Sequence, residues 1–242
     1  EPFPIRWERF LVENVAHFEL LSSDEQARLR DVTRVLVAER PWQGGGGLFV
    51  TEEMKVTIAA QAALLLLGGP GDYFAAVEAV VVYPSEFKTP VREDGWEDDG
   101  LSDGELDGQA HYRGPVILSW DVVREEGRNP ACGSNLVVHE FAHQLDYRDG
   151  ITAAAPPLGD RALETRWKYV MTVALEDHRR AVDKGEETFF TERAAENPAE
   201  FFADAAEAFF CDPHGLRAEN AEIYGLLAAY FKVEPCGWFA ED

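Results

Sequence analysis

Val138-His139-Glu140-Phe141-Ala142-His143-Gln144-Leu145-Asp146 spells H-E-x-x-H inside an apolar, helix-compatible run, and its reading decides the fold. Residues four apart lie one above the other on a helix, so His139 and His143 offer two imidazole nitrogens to one metal ion. Glu140 is set about 100° round the axis, where it faces a metal-activated water instead of the metal. Two ligands and a general base make the arrangement of a zinc hydrolase. Three fixed residues recur by chance in roughly one chain in a hundred of this length, so the flanks have to discriminate. A solvated surface helix could carry the same letters. Here Asn135-Leu136-Val137-Val138 leads in and Phe141, Ala142 and Leu145 follow, which makes the helix apolar over much of its circumference and predicts burial. Buried imidazoles and carboxylates need partners.

Catalytic zinc takes three protein ligands and keeps one position open, whereas structural zinc is closed by four. The run Pro198-Ala199-Glu200-Phe201-Phe202-Ala203-Asp204-Ala205-Ala206-Glu207-Ala208-Phe209-Phe210 supplies the third. It reads as an apolar helix opened by Pro198, and its three acidic residues, spaced by four and three, share one face. Carboxylates are rarely buried without compensation, so this stripe needs a cation, arginines or water on that side, and zinc is the economical answer. Glu200, in the first turn, is the expected ligand. Asp204 is expected to accept the free N–H of a ligating histidine and fix its tautomer. Asp146, at the end of the metal helix, is a second candidate for that supporting role. Glu207 is read as an alternative ligand or as a solvated or arginine-paired carboxylate.

With 242 residues, 46% hydrophobic and 12% aromatic, the chain can bury a substantial core. One unit over residues 1–242 is expected, with a helical N-terminal scaffold over 1–67 and a catalytic core over 78–242. Cys132, Cys211 and Cys236 form no C-x-x-C pair, so neither a disulfide framework nor cysteine-ligated zinc is indicated; a reducing, cytoplasmic setting is expected. A net charge of −23 excludes a nucleic-acid partner, because binding there rests on neutralising phosphates. The longest apolar run, about Ala59 to Leu67, is broken by Gln61 and stops at Gly68-Gly69; it predicts a core helix and no membrane span.

Helices are predicted from Trp7 to Leu21, from a capping-box-like Ser23-Asp24-Glu25-Gln26 to Glu39, from Thr51 to Leu67, and from about Arg161 to Asp183. Gly44 to Gly47 lacks the ending of a phosphate loop and reads as a flexible connector. Ala79 to Tyr83 and Pro115 to Trp120 are β-branched, strand-like runs expected to share a small mixed sheet beside the metal helix. The acidic stretch Arg92 to Gly108 fits no EF-hand spacing and reads as a solvated hairpin or loop. His111 and His178 are read as surface or structural, and His17 and His214 carry no signal.

Taken together, these segments resemble the Mlc titration factor A family of cytoplasmic zinc peptidases, itself similar to the anthrax lethal factor catalytic domain. The resemblance is carried by Met54 to Ala62, Val82-Tyr83-Pro84-Ser85-Glu86-Phe87, Gly114 to Trp120, His139 to Asp146 and Asn197-Pro198-Ala199-Glu200-Phe201-Phe202-Ala203. It implies a gluzincin-like α+β fold, mostly helical, with one zinc ion per chain held by His139, His143 and Glu200 and with Glu140 as general base. It also implies aminopeptidase-like activity on small peptides. The family's namesake binds and inactivates a transcriptional repressor of sugar-uptake genes, so the rival expectation is a protein-binding regulator with little turnover. One departure from the family bears on catalysis. Where relatives tend to place an oxyanion-stabilising tyrosine, seven residues before the ligand glutamate, this chain has Arg193. Arg193 is expected either to contact the oxyanion or to pair with Glu192 or Glu196. The strand Val116 to Trp120 is a candidate edge for an extended substrate, or an interior strand.

Overall fold

The computed structural model describes residues 3–69, 72–85, 114–146 and 158–239, without the side chains of Ala131 and Asp146. In chain order the elements are α1 (Ile5–Asn14), α2 (His17–Leu20), α3 (Ser23–Glu39), β1 (Trp42–Gly44), α4 (Glu52–Ala63), β2 (Val80–Tyr83), β3 (Val116–Ser119), α5 (Trp120–Arg128), α6 (Leu136–Asp146), α7 (Arg161–Asp183), α8 (Pro198–Cys211), α9 (Pro213–Glu219) and α10 (Ala221–Phe231). The fold is the mostly helical α+β arrangement expected of a metallopeptidase. The acidic stretch 92–108 and His111 lie outside the described residues.

The sheet corrects the sequence reading twice. It is wholly parallel, not mixed, with order β1-β2-β3 and register Trp42↔Val80 and Val80↔Val116. Parallel neighbours need a crossover connection, and α4 lies in the one between β1 and β2. The first strand, unpredicted, ends on Gly44, the first residue of the supposed glycine connector. A Cβ on Gly44 would lie 1.7 Å from the carbonyl oxygen of Leu48, and one on Gly45 would lie 2.4 Å from the Tyr83 ring. These glycines therefore permit close packing. Among the described residues β3 is an edge strand.

Helix boundaries follow local chemistry. The predicted N-terminal helix is two, because Asn14 turns its side chain to Glu53 and Thr57 (3.1 and 3.2 Å) and receives Arg128 (2.7 Å), while the Ala16 N–H goes to the Gly127 carbonyl. The capping box of α3 uses Ser22, one residue earlier than predicted, with Glu25 returning the bond. Thr51 caps α4 through the Met54 N–H, and a 3₁₀ turn over Leu64–Leu66 extends it. Asp160 accepts from Ala162 and Leu163 at the start of α7, whose bounds match the prediction.

Aromatic burial locates the core around α8. Trp167, Phe141, Phe201, Phe202, Phe209 and Phe210 are all buried; Trp167 of α7 meets Phe202 of α8 tilted and Tyr230 of α10 edge-on, while Phe209 of α8 stacks on Phe231 of α10. Burying such side chains stabilises by roughly 1.5–3 kcal/mol each. Helix α6 packs along α8 on one side and touches α4 and α5 on the other. The apolar packing therefore sets the separation of the two helices that carry the predicted ligands.

Candidate metal centre

Val137, Val138, Phe141, Ala142 and Leu145 are all buried and press α6 into the core, which leaves His139 and His143 on the face toward α8. Asn135 opens the helix by accepting the Val138 N–H at 3.0 Å. Two carboxylates from other helices hold the same turn. Glu126 of α5 accepts the Leu136 N–H at 2.6 Å and the Ser134 hydroxyl at 2.9 Å. Glu207 of α8 accepts the Asn135 N–H at 2.5 Å. Negative charge at a helix N-terminus is favoured by the exposed N–H groups and the macrodipole.

On α8, the Asn197 side chain accepts from the Ala199 and Glu200 N–H groups at 2.9 and 3.0 Å, and Pro198 occupies the first helical position. That cap aims Glu200, 6% exposed, at the two imidazoles. His139 Nε2 lies 3.2 Å from Glu200 Oε2, and His143 Nε2 lies 3.4 Å from Glu200 Oε1. The two rings stand edge-to-face, 5.0 Å between centroids. His139, His143 and Glu200 thus form a group whose ligand atoms all lie within 4.8 Å of one another. A tetrahedral zinc ion with N and O ligands at about 2.0–2.1 Å would separate its donors by about 3.3 Å, close to the 3.2 and 3.4 Å between Glu200 and the two imidazoles.

The electrostatics point the same way. Burial pushes the Glu200 carboxyl up, but hydrogen bonds from His139 and His143 and the charges of His143 and Arg193 outweigh it and hold the group well below the ordinary carboxylate range. Burial pushes His139 down, yet its bonds to Glu200 and Glu207 and the nearby Glu140 raise it to about 10. The pocket therefore demands positive charge between α6 and α8. A divalent cation meets that demand.

Beside His139, the one member of the cluster that lines it, is a cavity of about 440 Å³ bordered by Ser119, Val122, Glu126, Glu140, Thr191, Arg193, Asp204 and Glu207, among others. Half-buried Glu140 borders it. Arg193 sits on the 3₁₀ turn Glu192–Ala195, and its Nε lies 3.1 Å from Glu200 Oε2, with a side chain 60% exposed. It thus pairs with the expected ligand itself, not with Glu192 or Glu196. The turn is firmly braced. Asp204 Oδ2 accepts the Thr191 N–H and hydroxyl at 3.0 and 2.7 Å, His178 Nε2 donates to the Thr191 carbonyl at 2.9 Å, and Arg179 donates to the Ala195 and Glu196 carbonyls.

Of the acidic residues on α8, Glu207 comes nearer to His139 than the expected Asp204. Asp204 Oδ1 is 3.6 Å from His139 Nδ1, whereas Glu207 Oε2 is 3.1 Å away. Glu207 lies a further turn along α8 and has the longer side chain, which brings it to the ring while Asp204 turns to Thr191. Asp146 ends α6, and its side chain lies outside the described residues. Sequence reasoning missed Glu126 and Thr191, neither of which carries a motif. The signal for Glu207 was its seven-residue spacing from Glu200.

A model of the glucose-regulated metallo-peptidase M90 family matches residues 1–232. The chain belongs to this family. Mlc titration factor A of Serratia proteamaculans (strain 568) is 32% identical over 222 residues, covering 89% of this chain and 82% of the relative. Mlc titration factor A of Yersinia pestis (strain Pestoides F) is 30% identical over 229 residues, 92% and 83% of the two chains. An uncharacterized protein of Synechocystis sp. is 29% identical over 241 residues, 97% and 86%. The family resemblance read from the motifs is thereby borne out, and family membership implies a divalent metal, for which the His139–His143–Glu200 cluster is a suitable holder.

Proposed function

We propose that the chain is a zinc-dependent peptide hydrolase of the aminopeptidase type. The observation that carries this reading is the convergence of His139, His143 and Glu200, with Nε2–Oε separations of 3.2 and 3.4 Å, beside the Glu140-lined cavity. Residues 1–242 act as one domain, since α4 of the N-terminal part packs against α5 and α6. Three free thiols suit the cytoplasmic setting expected from the cysteine pattern.

When bound, zinc supplies Lewis acidity that polarises a peptide carbonyl and acidifies a water molecule. The chain's own residues do the rest. Glu140, one position round the helix from His139, takes the water proton and returns it to the leaving amine. Arg193 leaves Glu200 and donates to the developing oxyanion, a contact of a class worth roughly 3 kcal/mol. Glu126, Asp204 and Glu207 make one wall of the cavity acidic, which favours a free α-amino group over a substrate carboxylate. Among the described residues β3 is an edge strand whose last residue, Ser119, lines the cavity, which supports pairing of an extended peptide along it.

Zinc per chain is measured first, then turnover of amino-acid and peptide chromogenic substrates with and without a chelator. The expectation is one zinc, chelator-sensitive release of N-terminal residues, and a loss of about 10²–10⁴ in kcat for Glu140→Gln with zinc retained. Turnover indifferent to the chelator or to Glu140→Gln refutes the reading. The second reading is a regulator that sequesters a transcriptional repressor, as the relatives' name, Mlc titration factor A, suggests; the Arg193–Glu200 pair, which occupies a predicted ligand, favours it. Stoichiometric zinc without turnover on any substrate would select it.

A further inference from the structure

The acidic stripe of α8 divides its labour among three elements. Glu200 faces the two imidazole Nε2 atoms, Asp204 grips Thr191, and Glu207 reaches α6. We propose that Glu207 is the positioning residue of the metal centre: it holds the Nδ1 proton of His139 so that Nε2 faces the metal, while Asp204 positions the turn that carries Arg193. The inference rests on the reading of the cluster as a metal centre.

The geometry of Glu207 supports this assignment. Its Oε2 lies 3.1 Å from His139 Nδ1, and its Oε1 takes the Asn135 N–H. One carboxylate therefore fixes the ring's rotation and the axial position of the helix that bears it. Because Glu207 and Glu200 belong to the same helix, both contacts are referred to the third ligand. The competing carboxylate is elsewhere engaged: both donors of Thr191 converge on Asp204 Oδ2, and Asp204 Oδ1 stands 3.6 Å from Nδ1. A carboxylate that accepts the free N–H of a metal-bound histidine sets its tautomer and raises its basicity, and its loss typically costs 10–100-fold in metal affinity.

Glu207→Gln separates the two carboxylates. An amide puts an acceptor oxygen at only one of the two positions held by Oε1 and Oε2, so its NH2 faces the N–H of either Asn135 or His139. Zinc affinity is measured by competition with a chromophoric chelator on wild type, Glu207→Gln and Asp204→Asn, with folding checked by circular dichroism. The expected result is a 10–100-fold weaker Kd for Glu207→Gln and a Kd near wild type for Asp204→Asn. Unchanged affinity in Glu207→Gln, or a larger loss in Asp204→Asn, overturns the assignment. A purely structural anchor for Asn135 would lower the unfolding midpoint of the metal-free variant and leave the Kd alone.

Should Glu207→Gln fail to fold, the zinc-loaded wild type supplies the answer through long-range ¹H–¹⁵N correlations of its histidine rings. A protected proton on His139 Nδ1 is expected, and a proton on Nε2 overturns the proposal. Wild type that binds no zinc refutes the metal-centre reading and this inference with it. Wild type that binds zinc while Glu207→Gln binds it equally well refutes only the inference.

Discussion

Acidification will destabilise this protein through a histidine far from the metal centre in sequence. His17, in the short α2, is fully buried; its Nε2 donates to the Phe210 carbonyl at 3.0 Å, and its Nδ1 has no hydrogen-bond partner among the described residues. Burial lowers its pKa from the usual 6.5 to about 4, only partly offset by the bond to Phe210. A second proton would add a charge that nothing nearby accepts. Since the folded pKa lies below the unfolded one, the native state binds fewer protons between the two values. The contribution is complete above about pH 6.5 and is lost as pH falls toward about 4. At about 1.4 kcal/mol per pH unit, the full loss is about 3 kcal/mol, a large share of a typical stability. The assay is urea unfolding of the metal-free protein at a series of pH values from 7 to 4, wild type against His17→Gln. Carboxylates titrate in both proteins, so the difference between the curves isolates His17. The expected difference narrows or reverses by about 3 kcal/mol across the window. Parallel curves would refute the argument that His17 is held neutral.

Three further outcomes are expected. Arg193→Ala should leave zinc content unchanged and lower kcat by about 100-fold, read by steady-state kinetics; an unchanged kcat would mean that Arg193 does not reach the oxyanion. Asn197→Ala removes the cap that serves Ala199 and Glu200 and should cost about 1 kcal/mol in chemical denaturation. Phe141→Ala empties a buried site beneath the metal helix, where the ring meets Phe74 edge-on at 4.8 Å; a loss of about 3–5 kcal/mol is expected, and less than 1 kcal/mol would mean the site collapses to fill the space.

The helices read from the sequence, α3, α4, α6, α7 and α8, were legible because their signals are local, whereas α5, α9 and α10 were not read. Pro198 marks the start of α8, and apolar periodicity carries α6 and α8 through to their ends. The three-residue strand at Trp42 was not, because two of its residues are exposed and no alternation develops. Strand direction was equally hidden, since a run such as Val80 to Tyr83 reads the same in parallel and antiparallel sheets. At the site, the ligand types and their spacing could be read from the helical repeat. Which carboxylate meets His139 could not: that depends on the rotation of α8 about its axis and its depth against α6, both set by the packing of Phe201, Phe202, Phe209 and Phe210. The partner of Arg193 was hidden for a related reason, because the turn it rides on is tied down by Asp204, His178 and Arg179 from distant positions.

The acidic stripe of α8 also behaves as a ruler. Its intervals of four and three match the helical repeat, so adding or deleting one residue between Glu200 and Glu207 would swing everything beyond it by about 100° and shift it by about 1.5 Å. Glu200 would stay beside the imidazoles while Glu207 turned away from His139. Point changes at the intervening positions test packing alone, but a change in length tests the whole registry between α6 and α8. Lineages that diverge freely elsewhere are therefore expected to keep the count of residues in this segment fixed, while the exposed turn at Lys184-Gly185 is free to lengthen.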